Sequence, residues 1–271
     1  MGQIERQATK AADATDSKGF ILAARAGYIA AGLLHILIGA IALRIANGGS
    51  GSADQSGAIA QLAASPGGSI LLWACFLGCC ALALFMLSEA FLATKAVGGK
   101  DKLGRQLKFA GQAVVYGAIG ATFGIYALGG STSSSGSTRS VSASLMSNPA
   151  GSAFLIAIGV GAVVTGGYFI YSGATQRFRK DLKALPGGSA GKAVTVLGSV
   201  GYVAKGAALG VLGVLLVLAT VRNNPEESTG IDGALKSLQE APFGIWLLGS
   251  VAVGLICYGI FLVVRSRYQR M

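Results

Sequence analysis

The chain contains stretches of more than twenty residues that carry no charge, among them Gly67 to Ser88 and Ala241 to Val264. A hydrocarbon core roughly 30 Å thick is crossed by about 20 apolar residues of helix, and both stretches reach that length. Backbone amides in lipid have no water to bond, so such segments must be helical. Composition points the same way: 12% of the 271 residues are charged, against about 25% in soluble domains. Six apolar segments are read at about 26–46, 68–92, 108–129, 150–174, 194–221 and 243–264. The expected fold is all-α and integral to a membrane, with six transmembrane helices.

The six segments fall into three copies of one two-helix unit. Pro66, Pro149 and Pro242 are three of only five prolines, and they hold a common frame. Each has a leucine four residues before it, at Leu62, Leu145 and Leu238. Each has a glycine twelve after, at Gly78, Gly161 and Gly254, and an aromatic nineteen after, at Phe85, Tyr168 and Phe261. The first helix of each copy matches as well: Gly32 and Gly39 correspond to Gly117 and Gly124, and to Gly206 and Gly213. The register holds across loops of different length, so it marks a true internal repeat. Proline at the first helical position loses no hydrogen bond, and Ser65 and Asn148 precede it as caps. Each second span is therefore expected to begin at its proline. Short amphipathic pieces just before it, Ala58 to Ala64 and Ala234 to Glu240, are expected as interfacial helices on the outer side. The Ser-rich stretch from Ser131 to Ser144 reads as a flexible outer loop. The organisation is a polar cytoplasmic tail at 1–24 and hairpin repeats at 25–96, 107–182 and 193–271.

Lys and Arg set the orientation. Seventeen of the 22 lie in the N-terminal tail, the second and fourth connections, and the C-terminus. Basic residues concentrate on the cytoplasmic side, which places both termini there. With two spans per copy, all three copies enter in the same direction. They are parallel repeats in a pseudo-three-fold arrangement. The net charge of +11 is absorbed by this topology signal, and no basic-aromatic motif supports nucleic-acid binding. Cys75, Cys79, Cys80 and Cys257 all lie within spans and read as reduced packing residues. The polar N-terminus lacks the apolar core and cleavage site of a signal peptide.

The pattern Arg25-Ala26-Gly27-Tyr28, Gly32, Gly39, then Asp54-Gln55-Ser56-Gly57-Ala58, Leu62 and Pro66-Gly67-Gly68 resembles the repeat of domain of unknown function 1206. Gly201-Tyr202, Gly206, Gly213, Asp232-Gly233-Ala234, Leu238 and Pro242-Phe243-Gly244 carry it again. The middle copy departs, with Gln112-Ala113 in place of Gly-Tyr. The resemblance implies a triplicated six-span protein of the bacterial plasma membrane, and it implies no reaction.

Ionisable residues within spans are functional candidates by default. They are His35 in the first span, Glu89 near the basic end of the second, and Lys205 within the fifth. His35 reads either as a relay or ligand, or as a neutral ring bonded to a neighbouring helix. Glu89 and Lys205 either pair across helices or snorkel to the headgroups. None of the three is repeated: His35 corresponds to Gly120 and Leu209, Glu89 to Ser172 and Arg265, and Lys205 to Ala31 and Tyr116. A pore on a pseudo-three-fold axis would be expected to carry rings of like groups. What repeats is glycine, proline and aromatic, the signature of close helix packing. The spans offer too few converging polar groups for a hydrolase or transferase. The expectation is a non-enzymatic scaffold, accessory or lipid-binding membrane protein with no cofactor and no metal. Its expected partners are the bilayer, a bound lipid, and a membrane protein or a second copy. The alternative is a small-solute or ion transporter working through His35, Glu89 and Lys205.

Overall fold

A computed structural model describes residues 18–92, 100–182 and 187–268. The expected tail before Lys18 and parts of the second and fourth connections lie outside the described residues. Nine α-helices are present among the described residues: α1 (Lys18–Ala46), α2 (Gln55–Ala63), α3 (Gly68–Leu92), α4 (Lys100–Ala127), α5 (Ser134–Met146), α6 (Pro149–Ala174), α7 (Gly188–Val221), α8 (Ile231–Glu240) and α9 (Gly244–Tyr268). Two short 3-10 helices, Arg177–Asp181 and Pro225–Glu227, flank α7. Five helices are long and apolar enough to cross a membrane: α1, α4, α6, α7 and α9. A sixth, α3, contributes the shorter apolar stretch Gly68–Leu84. Their outward faces are apolar too. On α6, Phe154, Ile158, Val160 and Val164 are exposed, and on α9 Trp246 is 79% exposed. Such helices are hydrophobic all round, as expected of segments solvated by lipid.

The helices form two compact units, one of residues 1–55 and 134–271, the other of residues 56–133. In the larger unit, α6 packs along α7, and α9 packs along both α1 and α7. The α6–α7 contact is a glycine interlock. A methyl added at Gly206 would lie 2.5 Å from the Gly166 carbonyl oxygen, and one at Gly166 would lie 2.6 Å from that of Gly206. Two turns along, Gly213 and Gly159 repeat the arrangement at 2.5 and 2.9 Å. The α1–α9 pair has the same register. Gly32 sits 2.7 Å, by the same measure, from the Gly259 carbonyl oxygen, and Gly39 sits 2.7 Å from that of Ala252. Without side chains at these positions the backbones approach closely, which lets dispersion act along the pair. Both pairs join the second helix of one copy to the first helix of the next, copy 2 to copy 3 and copy 3 to copy 1.

In the smaller unit α3 packs along α4, copy 1 to copy 2, and here the interlock is loosened. Phe76 stands where the other copies have Gly159 and Ala252, and Ala83 stands where they have Gly166 and Gly259. The Phe76 ring meets Gly124, a methyl on which would lie 3.0 Å away, and Gly120 meets Cys79. Gly117, although aligned with Gly32 and Gly206, has nothing within reach of an added methyl. The glycines twelve residues after each proline also differ. Gly254 is pressed against Ala204, whereas Gly78 and Gly161 meet nothing. They share a sequence register but not a packing role.

The proline expectation holds for one copy and is corrected in two. Pro149 is the first residue of α6, and Asn148 caps it by accepting from the Gly151 amide at 2.8 Å. Pro66 and Pro242 instead lie in turns two residues ahead of α3 and α9. The Gly68 amide donates to the Ser65 carbonyl at 2.9 Å, and the Gly244 amide to that of Ala241 at 2.8 Å. With Pro66 second and Gly67 third at φ +77°, the first turn has type II geometry. Ser65 does not cap α3: its hydroxyl donates back to the Leu62 carbonyl at 2.6 Å.

The short helices expected near Ala58 and Ala234 are present as α2 and α8. The Ser-rich stretch is also corrected, because it is helical over α5. Serines are weak helix formers, but this segment is held by tertiary contacts. The buried Ser142 and Ser228 hydroxyls bond at 2.6 Å, and Arg139 pairs with Glu226 at 3.4 Å. Helix α8 clips the first copy in turn. Asp232, almost fully buried, accepts from the Ala53 amide at 2.7 Å and from Lys236 at 2.7 Å, and Gln239 donates to the Ile45 carbonyl at 3.2 Å. Asp232→Ala is expected to cost about 2–3 kcal/mol, since hydrogen bonds to a charged group are worth roughly 1.5–3 kcal/mol. Asp232→Asn, which keeps the acceptor for Ala53, should lose less than half of that in the same thermal melt.

Candidate functional site

The larger unit contains a seam of polar and aromatic side chains between α1, α6, α7 and α9. It has two tiers. Tyr28 and His35 on α1 are seven residues apart, as are Tyr258 and Arg265 on α9. Seven residues are two helical turns, about 10 Å of rise, so each pair points from the same face at two depths.

The tier nearer the basic end is built on Arg265. Its guanidinium donates to the Tyr202 hydroxyl at 2.7 Å and lies 5.4 Å from the centre of the Tyr28 ring. Tyr202 is buried, and its ring stacks on Phe178 at 5.0 Å. Phe178 comes from the 3-10 helix that follows α6. It also meets Phe261 edge-on at 5.1 Å and lies on Gly198, whose missing side chain makes its seat. Arg177, Arg179 and Lys180 surround Phe178 in sequence and are exposed. One buried aromatic thus anchors a rim of three cations.

The inner tier is built on Lys205. Its ammonium donates to the Tyr258 hydroxyl at 3.1 Å and lies 4.5 Å from the Tyr258 ring centre and 4.9 Å from that of Phe169. These are cation–π distances. His35 meets Tyr258 edge-on at 5.0 Å, and its Nδ1 lies 2.7 Å from the Ala31 carbonyl oxygen. A carbonyl only accepts, so Nδ1 carries the hydrogen; in the neutral ring Nε2 is then left to accept. The Tyr202 and Tyr258 rings, 5.4 Å apart, join the tiers.

Beyond His35 the seam stops. Next beyond it, the buried residues of the surrounding helices include Ile38, Ile41, Ala42, Ala208, Leu248, Val251, Ala252 and Leu255, all apolar. The buried Thr220 hydroxyl, nearer the opposite end, donates to its own helix, to the Leu216 carbonyl at 2.7 Å. The polar groups of the seam therefore run from the basic end about halfway along the helices and end blind.

Of the three sequence candidates, the structure brings His35 and Lys205 to the same tyrosine. The Glu89 side chain lies outside the described residues. Lys205 sits among aromatic rings of α6 and α9 and makes no ion pair among the described residues. Sequence reasoning passed over Tyr28, Phe169, Phe178, Tyr202, Tyr258 and Arg265. Part of the signal was available: Tyr28 and Tyr202 are the aromatic members of the repeated Gly-Tyr pair, and Arg265 aligns with Glu89. Among the described residues no group of three His, Cys, Asp or Glu is gathered for a metal.

The three-fold frame of these helices is also the frame of a known family. A family model described as Domain of Unknown Function (DUF1206) matches residues 26–93, 107–176 and 200–269. The chain belongs to the DUF1206 family. Each match takes in both long helices of one copy. A DUF1206-family frame therefore runs through α1 and α3, α4 and α6, and α7 and α9, while the glycine interlocks join neighbouring frames. The uncharacterized protein YxxB of Bacillus subtilis (strain 168) is 28% identical over 249 residues, 91% of this chain and 90% of that protein. No solved structure matches.

Proposed function

We propose that the protein is a six-span bundle of the bacterial plasma membrane with both termini in the cytoplasm. In this reading it serves as a non-enzymatic scaffold or accessory protein that holds lipid. The observation that carries the reading is the blind seam. What recurs from copy to copy is glycine packing, whereas the polar groups gather in one place and stop at half depth. A path for ions or solutes needs polar or water-lined walls from face to face. Among the described residues of the larger unit, the side chains buried beyond His35, such as Ile41, Leu248 and Val251, are mainly apolar and support a closed far side. The juxtaposition of His35, Tyr258 and Lys205 is the one feature that favours the transporter alternative, because such groups can pass protons.

Two measurements test this. In a variant lacking native cysteines, Lys192→Cys should react with an impermeant thiol reagent only from the cytoplasmic side, and Ser140→Cys only from the outside. In liposomes, the purified protein should leave proton and small-anion flux at the level of protein-free vesicles. Flux that disappears with Lys205→Met or His35→Leu would establish the transporter in place of the scaffold.

A further inference from the structure

Asp232, Lys236 and Glu240 stand four residues apart on α8, so they share one face of that helix with Gln239 beside them. Lys236 has a carboxylate one turn away on either side and takes Asp232, at 2.7 Å. Asp232 is itself fixed by the Ala53 amide. Glu240 is exposed and makes no ion pair among the described residues.

This face of α8 is one wall of a cavity of about 350 Å³ within the larger unit. Lys236, Gln239 and Glu240 line it on one side, and Ile45 with the loop glycines Gly49 and Gly51 on the other. A methyl on Gly51 would lie 2.8 Å from the Ile41 side chain, so a bare backbone at this point keeps the loop seated on α1. The volume stands at the small end of the roughly 300–1,000 Å³ of ligand pockets, the size of a metabolite. Gln239 spends an amide N–H on the Ile45 carbonyl at 3.2 Å, which leaves its side-chain oxygen to accept. Lys236 has three N–H donors and gives one to Asp232. Lys236 and Asp232 cancel in charge, so Glu240 leaves the wall net negative. The missing partner brings a positive charge. A hard metal ion needs roughly six oxygen ligands and would be repelled by Lys236. An ammonium, with three N–H donors, suits a carboxylate beside an amide oxygen.

We infer that this cavity binds a small zwitterion, with Glu240 and Gln239 taking its primary ammonium and Lys236 its acid group. The inference rests on the cavity and not on the seam, so its failure would leave the lipid-holding reading standing. In the topology proposed above, the end of α1 that carries Ile45 emerges on the outer side. A ligand of this chemistry there is either a free amino acid or the ethanolamine phosphate headgroup of a phospholipid.

The test is isothermal titration of the purified full chain with L-alanine and with phosphoethanolamine. At least one should bind saturably, and the tighter of the two names the source. Choline phosphate, whose nitrogen carries no N–H, and ethylamine, which has no acid group, should each bind at least about tenfold more weakly than that ligand, the loss of one charge-assisted hydrogen bond. Glu240→Gln should weaken binding about 10–100-fold on the same scale, and because Glu240 is exposed its melting curve should match that of the parent. Arg179→Gln, outside the cavity, should bind as the parent does. Absence of saturable binding by both probes, choline phosphate binding as tightly as phosphoethanolamine, or an unchanged affinity in Glu240→Gln would overturn the proposal.

Discussion

Gly206→Leu is expected to lower the stability of the protein by about 3 kcal/mol, the upper part of the roughly 1–3 kcal/mol usual for overpacking. A midpoint drop of about 6–12 °C should accompany it, taking about 2–4 °C per kcal/mol for a chain of this size. The reason is what the new side chain meets. A methyl at Gly206 already lies 2.5 Å from the Gly166 carbonyl oxygen and 2.9 Å from the Ile170 amide nitrogen. Backbone cannot swing aside as a side chain can, so the two helices must separate. The better helix propensity of leucine returns only about 0.8 kcal/mol. Gly213→Leu, Gly32→Leu and Gly39→Leu should behave alike, since each faces backbone of its partner helix. Gly117→Leu provides the decisive contrast. It shares the repeat position of Gly206 but meets nothing, so its loss should stay within about 0.5 kcal/mol, as should that of Gly161→Leu. Equal losses at Gly117 and Gly206 would show that repeat position, and not the contact, sets the cost.

Tyr258→Phe is expected to cost about 1–3 kcal/mol, the penalty for leaving a charged donor unsatisfied. Among the described residues the hydroxyl is the only oxygen bonded to the Lys205 ammonium, and without it the charge keeps the faces of the Phe169 ring and of the ring at position 258, with no oxygen acceptor among them. Lys205→Met removes the charge together with its desolvation penalty and leaves a side chain of similar length, so its expected change is under about 1 kcal/mol. The double variant should then be more stable than Tyr258→Phe alone, with a coupling of about 1–2 kcal/mol, within the range for residues in contact. Thermal melts of the four proteins give the cycle. Additive losses would mean that the ammonium finds its stabilisation elsewhere.

The apolar helices and the three-fold frame were legible because both rest on local signals. Charge-free runs report the solvent, and Pro66, Pro149 and Pro242 report the register. The choice of partner helix is a tertiary property, and the repeat by itself suggests pairing within a copy. Its signal was present but distributed. Gly159 and Gly166, and Ala252 and Gly259, are small at the seven-residue spacing that answers Gly213 and Gly206, and Gly39 and Gly32. Phe76 and Ala83 break that pattern in copy 1. Helix α5 was misread because serine content reports propensity, while Ser142 is held by Ser228, 86 residues away. Of the seam, His35 and Lys205 were visible as intramembrane ionisable residues. Their common neighbour Tyr258 was not, since no spacing along one helix tells which helix will lie opposite.

The most direct test of a blind, cytoplasm-facing seam in a membrane bundle is the sidedness of a cysteine placed at its inner tier. In the cysteine-free background, Lys205→Cys should react with a small impermeant thiol reagent in inside-out vesicles and remain unmodified in intact cells. Opening the cap with Phe178→Ala should speed the reaction on the cytoplasmic side alone. Modification from the outside, or no modification from either side in the Phe178→Ala background, would contradict the account.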